Sequence, residues 1–278
     1  MIPEPQRAYV LELLLALGPA TGGFVLAGAQ AMKFWLPRAR ATRDFDFILD
    51  VMSLRPLDVS ISQVLASLGY TPVPEARLFQ FDKPIPDSVE VMRIEFMAPE
   101  EYQRGVRDFR VDIQEGVHAR GCAAASIALR ESDVRQLNGF LPSGAPASTT
   151  VRVIRPTALV LMKCLAMDDR YRNLRGPLHA EHDRNEARVH ATDIVAVLSA
   201  QANLGEFRTS FLAQCPAGPL RDRVLRILTE YFGDENKPGS LLYEEFLRLE
   251  SGPEEDDSRH ELLHARRILS AFLGATPC

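Results

Sequence analysis

Asp44 and Asp46, two aspartates separated by one residue, constrain this sequence more than any other feature because of the pattern that precedes them. An apolar run at 24–27 predicts a buried strand, Gly28 predicts a turn, and the following residues predict a short helix that ends near Trp35. The aspartates then lie in a second apolar run, whose side chains alternate between two faces if it is a strand. The two carboxylates are therefore expected on one face, opposite the phenylalanines that alternate with them.

Two neighbouring carboxylates repel each other, and at the edge of an apolar core each is costly unless a partner balances its charge. A divalent cation is a common partner, since a hard ion such as Mg²⁺ takes oxygen ligands and often keeps a substrate phosphate among them. The pattern therefore predicts a metal site at Asp44 and Asp46. The alternative is that both aspartates are solvated on a half-exposed strand.

The residues that lead into this strand extend the pattern to R-x-T-x-D-x-D, which begins at Arg40 and includes Thr42. With the strand–glycine–helix unit before it, the pattern resembles the DNA polymerase β-type nucleotidyltransferase superfamily and, within it, the AbiEii-type group. That group contains toxins of toxin–antitoxin and abortive-infection systems. The resemblance implies an α/β (α+β) fold, with a nucleotidyltransferase core on a mixed sheet at 1–154 and a helical C-terminal domain at 155–278.

The resemblance also implies the chemistry, which is transfer of a nucleoside monophosphate from a nucleoside triphosphate (NTP) with Mg²⁺ or Mn²⁺ held by Asp44 and Asp46. The superfamily usually has Gly-Ser or Gly-Gly at the turn, whereas this chain has alanine at the second position. A hydroxyl that would bond a phosphate is therefore missing, and a weakened or inactive enzyme is an alternative. The residues that the resemblance assigns to nucleotide binding are Gly28, Ala29, Arg40, Thr42 and Lys163.

A third carboxylate stands beside the D-x-D strand in the superfamily, and two residues are candidates for it. The run 88–97 alternates well and places Glu95 on one face with Arg93, whereas Asp112 lies in a shorter alternating run at 109–113. We favour Glu95 as a catalytic residue by position and face. Glu95 could equally pair with Arg93 or face solvent, and the run around Asp112 could be an edge strand.

The segment 156–167 begins with proline and is apolar nearly all round, which predicts a buried helix. Lys163 is its exception, because a buried ammonium group needs an anion. In one interpretation the lysine pairs with an aspartate or extends to water. In the other it binds the triphosphate. The last role is the one that the resemblance implies, since a lysine is functional in the family's helix after the core sheet.

Asp193 opens an apolar run and could simply cap a helix there. The family instead has a catalytic-site aspartate at this place, in a D-x-x-D-I element. Here only the sequence Thr-Asp-Ile at 192–194 remains, because Arg188 or its neighbour replaces the first aspartate. Both interpretations stay open. The resemblance implies that the helical domain contributes Lys163 and Asp193 to the cleft, where Glu95 or Asp193 takes the acceptor proton or completes the metal shell.

The rest of the chain carries helix, strand and loop patterns without obvious chemistry. Between 119 and 141 small and apolar residues at uneven spacing favour one or more helices, and 142–150 is by composition a linker or turn. The charged stretch 168–190 predicts an exposed loop or a helix hairpin, and its His179-x-x-His182 pair is more typical of solvated histidines than of a metal site. Amphipathic helices are expected at 6–18, 58–69, 205–215, 218–232, 240–250 and 258–273.

The formal net charge of -5 and the pI of about 5.8 argue against a broadly basic nucleic-acid-binding protein. No signal-peptide pattern and no apolar stretch of membrane-spanning length is found, so we expect a cytoplasmic protein. The four cysteines are too widely spaced to indicate a zinc site or a disulfide framework. A local basic patch adjoins the aspartates and either steers phosphates or forms salt bridges locally; its residues are Lys33, Arg38, Arg40 and Arg43.

These observations favour a Mg²⁺-dependent nucleotidyltransferase, and the resemblance implies that its acceptor is RNA, such as tRNA. The resemblance implies that it acts as the toxin of a toxin–antitoxin or abortive-infection system, with a cognate antitoxin as a partner. Two alternatives remain, a transferase for a small molecule such as an aminoglycoside and a catalytically weakened binding module on the same fold. The sequence shows no acidic pocket motif for a polycationic antibiotic, which ranks the small-molecule acceptor below RNA.

Overall fold

A computed structural model describes residues 2–37, 39–40, 42–76, 78–86, 88–105, 108–172, 176–251 and 255–274. The chain divides into two compact units, residues 1–155 and 156–278. The first unit combines helices with a sheet, and the second is helical. Within the described ranges, no helix is long and apolar enough to span a membrane.

The first unit contains five α-helices and ten strands within its described residues. The helices are α1 (Gln6–Leu17), α2 (Gly28–Met32), α3 (Val51–Leu54), α4 (Ile61–Ser67) and α5 (Ala125–Arg130). The strands are β1 (Phe24–Leu26), β2 (Asp44–Leu49), β3 (Thr71–Pro72), β4 (Gln80–Pro84), β5 (Val91–Pro99), β6 (Gln103–Gly105), β7 (Asp108–Gln114), β8 (Val117–Cys122), β9 (Ser132–Phe140) and β10 (Pro146–Ile154).

These strands form one mixed sheet with the order β6-β7-β8-β5-β2-β1-β10-β9, and β4 pairs with both β3 and β5. Strand β2 runs parallel to β5 and antiparallel to β1, while β1 runs parallel to β10. The mixed sheet that the sequence predicts is therefore confirmed. Strand β2, which carries the two aspartates, lies near the middle of the sheet, so its neighbours fix it on both sides.

Aromatic side chains on one face of the sheet fix the orientation of β2. Phe24 of β1 contacts Phe47 of β2 and Phe96 of β5 edge-to-face, with ring centroids 5.7 and 5.9 Å apart. Phe45 stacks on Phe47, and both are buried. Because a slip of one residue would expose these rings and bury the aspartates, the aromatic core determines which way the carboxylates point.

The second unit consists of six α-helices within its described residues. Helix α7 packs against α6, α10 and α11, so it lies at the centre of this unit. The buried helix that the sequence predicts at 156–167 is confirmed as part of α6, and the apolar run from Asp193 lies in α7. The helices are α6 (Pro156–Arg172), α7 (Ala180–Ser199), α8 (Leu204–Gln214), α9 (Pro219–Phe232), α10 (Pro238–Ser251) and α11 (Glu255–Leu273).

Two sequence predictions about the connecting regions are wrong. The segment 119–141 is not mainly helical, because β8 and β9 flank the single short helix α5. The supposed linker at 142–150 is largely strand β10, which pairs with β9 along its whole length. Cross-strand pairing here overrides the small and polar composition of the strands. The helix hairpin that is one of the two predictions for 168–190 is present, because α6 continues to Arg172, α7 begins at Ala180 and the two helices pack together.

Candidate active site

The two aspartates of β2 lie beside the turn that precedes α2. Asp44 is exposed and Asp46 is half-buried, and both point away from the phenylalanine face. The Ala27 amide donates to the Asp46 carbonyl oxygen at 2.8 Å, which joins the turn to β2. Gly28 has φ +59°, and a Cβ atom at this position would lie 1.7 Å from Asp46 Oδ2. Only glycine therefore fits here, for both its backbone angle and its missing side chain.

Helix α2 also holds the segment that leads into β2. Gln30 is fully buried and its Nε2 donates to the Thr42 carbonyl oxygen at 2.8 Å. The Thr42 hydroxyl in turn accepts from the Asp44 amide at 3.2 Å. Lys33 Nζ donates to the Arg40 carbonyl oxygen at 3.0 Å, and burial followed by the charge of Arg40 lowers the pKa of Lys33. These bonds bring the R-x-T segment to the same corner as the aspartates.

Two residues of the basic patch are engaged locally, and the steering of phosphates stays a prediction. Arg43 forms a salt bridge with Glu90, so this arginine is engaged locally. Lys33 supports backbone carbonyls of the loop, and Arg40 is half-buried. Arg38 lies outside the described residues. Ala29, the residue that replaces the usual serine or glycine, is buried.

Strand β5 places Glu95 directly opposite Asp46 and Arg93 directly opposite Asp44. Residues that oppose each other across two strands point to the same face, so all four side chains share it. Arg93 does not pair with Glu95. Its hydrogen bonds to Asp82 of β4, at 2.7 and 2.8 Å, raise its pKa above the usual value, and the charges of Asp82, Asp44 and Glu95 add to this shift.

The Glu95 carboxylate is held by residues from two other strands. Gln80 Nε2 of β4 donates to Glu95 Oε2 at 2.7 Å. Arg120 Nη2 of β8 lies 2.9 Å from Glu95 Oε1. Glu95 is therefore close to Asp46 and has a fixed orientation, which agrees with the position expected of a third carboxylate. Its catalytic role stays a prediction.

Asp112, the other candidate for the third carboxylate, lies too far away in the sheet. It belongs to β7, which is separated from β2 by β8 and β5, or three strand spacings of about 4.8 Å each. Arg104 binds both of its carboxylate oxygens, at 2.6 and 2.8 Å, and these bonds hold the pKa of Asp112 below its usual range. Asp112 is therefore engaged in a separate ion pair.

Lys163 and Asp193 form a buried ion pair within the helical unit. Lys163 Nζ of α6 lies 2.7 Å from Asp193 Oδ2 of α7, and the side chains are 8% and 2% exposed. Asp193 lies in the interior of α7 and therefore does not cap a helix, so that interpretation is wrong. The pairing of Lys163 with an aspartate, one of the alternatives drawn from the sequence, is present.

One protein-family model matches most of the chain, including the residues described above. Residues 10–265 match the family model described as nucleotidyl transferase AbiEii toxin, type IV TA system. The chain belongs to this family. Membership confirms the resemblance inferred from the R-x-T-x-D-x-D pattern and makes the protein a nucleotidyltransferase of the type IV toxin–antitoxin class. A search of curated proteins finds no match to the chain.

Nucleotidyltransferases generally use divalent metals, and the residues of this AbiEii family member fit one. Asp44 and Asp46 supply oxygen donors on one face, and the missing side chain of Gly28 leaves the backbone against Asp46 Oδ2. Mg²⁺ is commonly bound by one or two carboxylates and completes its shell with water and substrate phosphates. Among the residues that the structure describes, no group of three or more His, Cys, Asp and Glu is arranged to hold a metal alone.

Sequence reasoning missed three residues that organise the site of this AbiEii family member, namely Gln30, Gln80 and Arg120. Gln30 could have been identified from the sequence, because its side-chain amide is the one polar group in the otherwise apolar short helix α2. Gln80 and Arg120 come from strands whose pairing with β5 is long-range. No local pattern predicts that their side chains meet at Glu95.

We expect Lys163→Met to lower the free energy of unfolding by about 3 kcal/mol, because it removes the ammonium group that offsets the buried Asp193 charge. The double variant Lys163→Met/Asp193→Asn should recover part of this loss. Urea denaturation measures both. Arg184→Met is the control, since Arg184 is 63% exposed in its pair with Glu245 and such pairs contribute about 1 kcal/mol or less. Equal losses in Lys163→Met and Arg184→Met would contradict the prediction.

Proposed function

We propose that this AbiEii family member is a Mg²⁺-dependent enzyme that transfers a nucleoside monophosphate from an NTP to RNA, with tRNA as the favoured acceptor. The observation that carries the proposal is the contact between the Gly28 backbone and the Asp46 carboxylate. This contact joins the turn expected to bind phosphates to the carboxylate expected to bind the metal. The family membership supports the reaction type and the toxin role.

The nucleotide site that we propose consists of the turn and the segment held against it. Glycine at position 28 lets a backbone approach a ligand closely, and the first amides of a helix lack intrahelical partners and can donate to phosphate oxygens. Thr42 and Arg40 are tied to α2 by Gln30 and Lys33. This bracing supports their proposed role beside the triphosphate.

The reaction that fits this site is an in-line displacement at the α-phosphorus of the NTP. A bond forms between the acceptor oxygen and the α-phosphorus, the bond to the bridging oxygen breaks, and pyrophosphate leaves. Mg²⁺ or Mn²⁺ bound by Asp44 and Asp46 would neutralise charge on the attacking and leaving oxygens. The chain itself supplies orientation, which alone can contribute several kcal/mol to lowering the barrier, about 7 or more in the best cases.

The remaining roles follow from the resemblance. We propose that Glu95 or Asp193 accepts the proton of the acceptor hydroxyl or completes the metal shell. Arg40 or Lys163 would hold the β- and γ-phosphates. A cognate antitoxin is the proposed partner, since the family is defined as a type IV toxin–antitoxin component.

Incubation of the purified protein with each of the four NTPs, labelled at the α-phosphate, tests this function. With Mg²⁺ and total RNA, label should move into RNA, and purified tRNA should be labelled as well. EDTA should abolish transfer and added Mg²⁺ should restore it, because the metal would neutralise charge on the attacking and leaving oxygens. RNA that stays unlabelled with every NTP would contradict the proposal.

Transfer and binding measurements with the same labelled NTPs separate the alternatives. Label that moves to an aminoglycoside but not to RNA would indicate a small-molecule transferase. Absence of Mg²⁺–NTP binding would indicate a catalytically weakened binding module. The buried Ala29 is the specific observation that favours such weakening, because it supplies no hydroxyl at the turn.

A further inference from the structure

Strand β5 changes its partner next to Glu95. Its first half pairs with β4 as far as Glu95, which opposes Gln80. Its second half pairs with β8 from Met97, which opposes Arg120. Glu95 therefore lies at a seam in the sheet, where the end of one neighbouring strand gives way to the next. Each of the two strands that meet at this seam, β4 and β8, has a side chain that contacts Glu95.

The backbone at this seam is built in an unusual way. Leu78, which precedes β4, has φ +69°, a left-handed conformation that is rare for a bulky residue. Its carbonyl oxygen accepts from the His118 amide of β8 at 3.0 Å, and the Phe79 carbonyl oxygen accepts from the Phe96 amide of β5 at 2.8 Å. Such conformations persist where the surroundings impose them and are concentrated at functional sites. Here Leu78 bonds to β8 and the next residue, Phe79, bonds to β5, so the segment before β4 joins both strands.

Charge explains why Glu95 needs this support. It opposes Asp46 directly, and like charges in directly opposed positions destabilise a sheet. The Arg120 guanidinium, 2.9 Å from Glu95 Oε1, offsets that repulsion, and Gln80 fixes the other oxygen at 2.7 Å. The side chains of Arg120 and Glu95 are 40% and 17% exposed, so water screens this ion pair in part.

We propose that Arg120 is a positioning residue for nucleotide transfer, which acts by holding Glu95 in place beside Asp46. This inference rests on the proposed function, because Glu95 acts in that reaction. Gln80 has the same role from the opposite side of the seam. Each carboxylate oxygen has two lone pairs, so both oxygens of Glu95 can keep these bonds and still face the site.

The variants Arg120→Met and Arg120→Lys test the proposal, with transfer of labelled nucleotide to total RNA as the readout. Arg120→Met should lower kcat by about 10- to 100-fold, the usual loss when the support of a metal-site or catalytic ligand is removed, with KM for the NTP changed little. Arg120→Lys should recover part of kcat, because lysine keeps the charge but not the planar fork.

Arg110→Met is the matched control, since Arg110 lies opposite Arg120 on β7 and its own carboxylate partner is Asp108 instead. It should keep the kcat of the unchanged protein. Both methionine variants remove one partly exposed ion pair and should shift Tm by only a few degrees, about 2–4 °C. If the two methionine variants have the same Tm and only Arg120→Met loses kcat, the loss reflects the position of Glu95 and not the stability of the protein.

The double variant Arg120→Met/Glu95→Gln shows whether Arg120 acts through Glu95. Its kcat should match that of Glu95→Gln alone, because the arginine then has no carboxylate to orient. Losses of kcat that multiply in the double variant would overturn the proposal, as would equal kcat values for Arg120→Met and Arg110→Met. Absence of transfer in the unchanged protein would overturn the proposed function and this inference together, which distinguishes that outcome from the others.

Discussion

Asp46→Asn should lower kcat for nucleotide transfer by about 10³-fold or more while the protein stays folded. We expect Asp46 to hold a metal ion, which can contribute several kcal/mol of transition-state stabilisation, and each 1.36 kcal/mol corresponds to a factor of ten. Asparagine keeps the shape of the side chain but not its charge. Because Asp46 opposes Glu95 across two strands, removing one charge also relieves repulsion, so stability should be unchanged or higher.

The control for Asp46→Asn is Asp112→Asn, which changes a carboxylate of the same sheet that is held by Arg104. Asp112 lies three strands from β2, so transfer should be unaffected. The measurements are kcat with labelled NTP and RNA, and thermal unfolding of both variants. Unchanged turnover in Asp46→Asn would refute the mechanism, and a matching loss in Asp112→Asn would show that the effect is not specific to the pair.

Gly28→Ala should nearly eliminate transfer and should also destabilise the first unit. The added Cβ would lie 1.7 Å from Asp46 Oδ2, so the carboxylate or the turn must move. A displacement of about 1 Å at a catalytic group can cost a factor of about 10² in rate. The positive φ of +59° adds strain of about 1–2 kcal/mol for any residue with a Cβ.

Gly144→Ala separates the two effects of Gly28→Ala. Gly144 lies in the turn between β9 and β10 with φ +83°, and nothing lies within 4 Å of a Cβ built there. It therefore carries the same kind of backbone strain, about 1–2 kcal/mol, without any contact to a carboxylate. Urea denaturation should show a loss in both variants, and transfer should fail only in Gly28→Ala. Full activity of Gly28→Ala would exclude a role for the turn in catalysis.

Local patterns predicted the parts of the site that lie close together in the chain. The alternation of Phe45 and Phe47 with the two aspartates was sufficient to place both carboxylates on one face of a strand. The glycine at position 28 and the apolar helix around Lys163 were likewise recognisable from spacing and composition. The same approach failed between 119 and 150, where helices were expected up to 141 and a linker at 142–150, whereas strands β9 and β10 form there by pairing with each other.

The sequence by itself determined the strand with its paired aspartates, the turn before it and the helices of the second unit, because side-chain periodicity and turn chemistry are properties of neighbouring residues. Only the tertiary structure decided that Glu95 opposes Asp46 and is held by Gln80 and Arg120, that Asp112 lies apart, and that Lys163 pairs with Asp193. These contacts join residues far apart in the chain. The order of strands and the packing of helices select them, and that selection depends on burying the whole core at once.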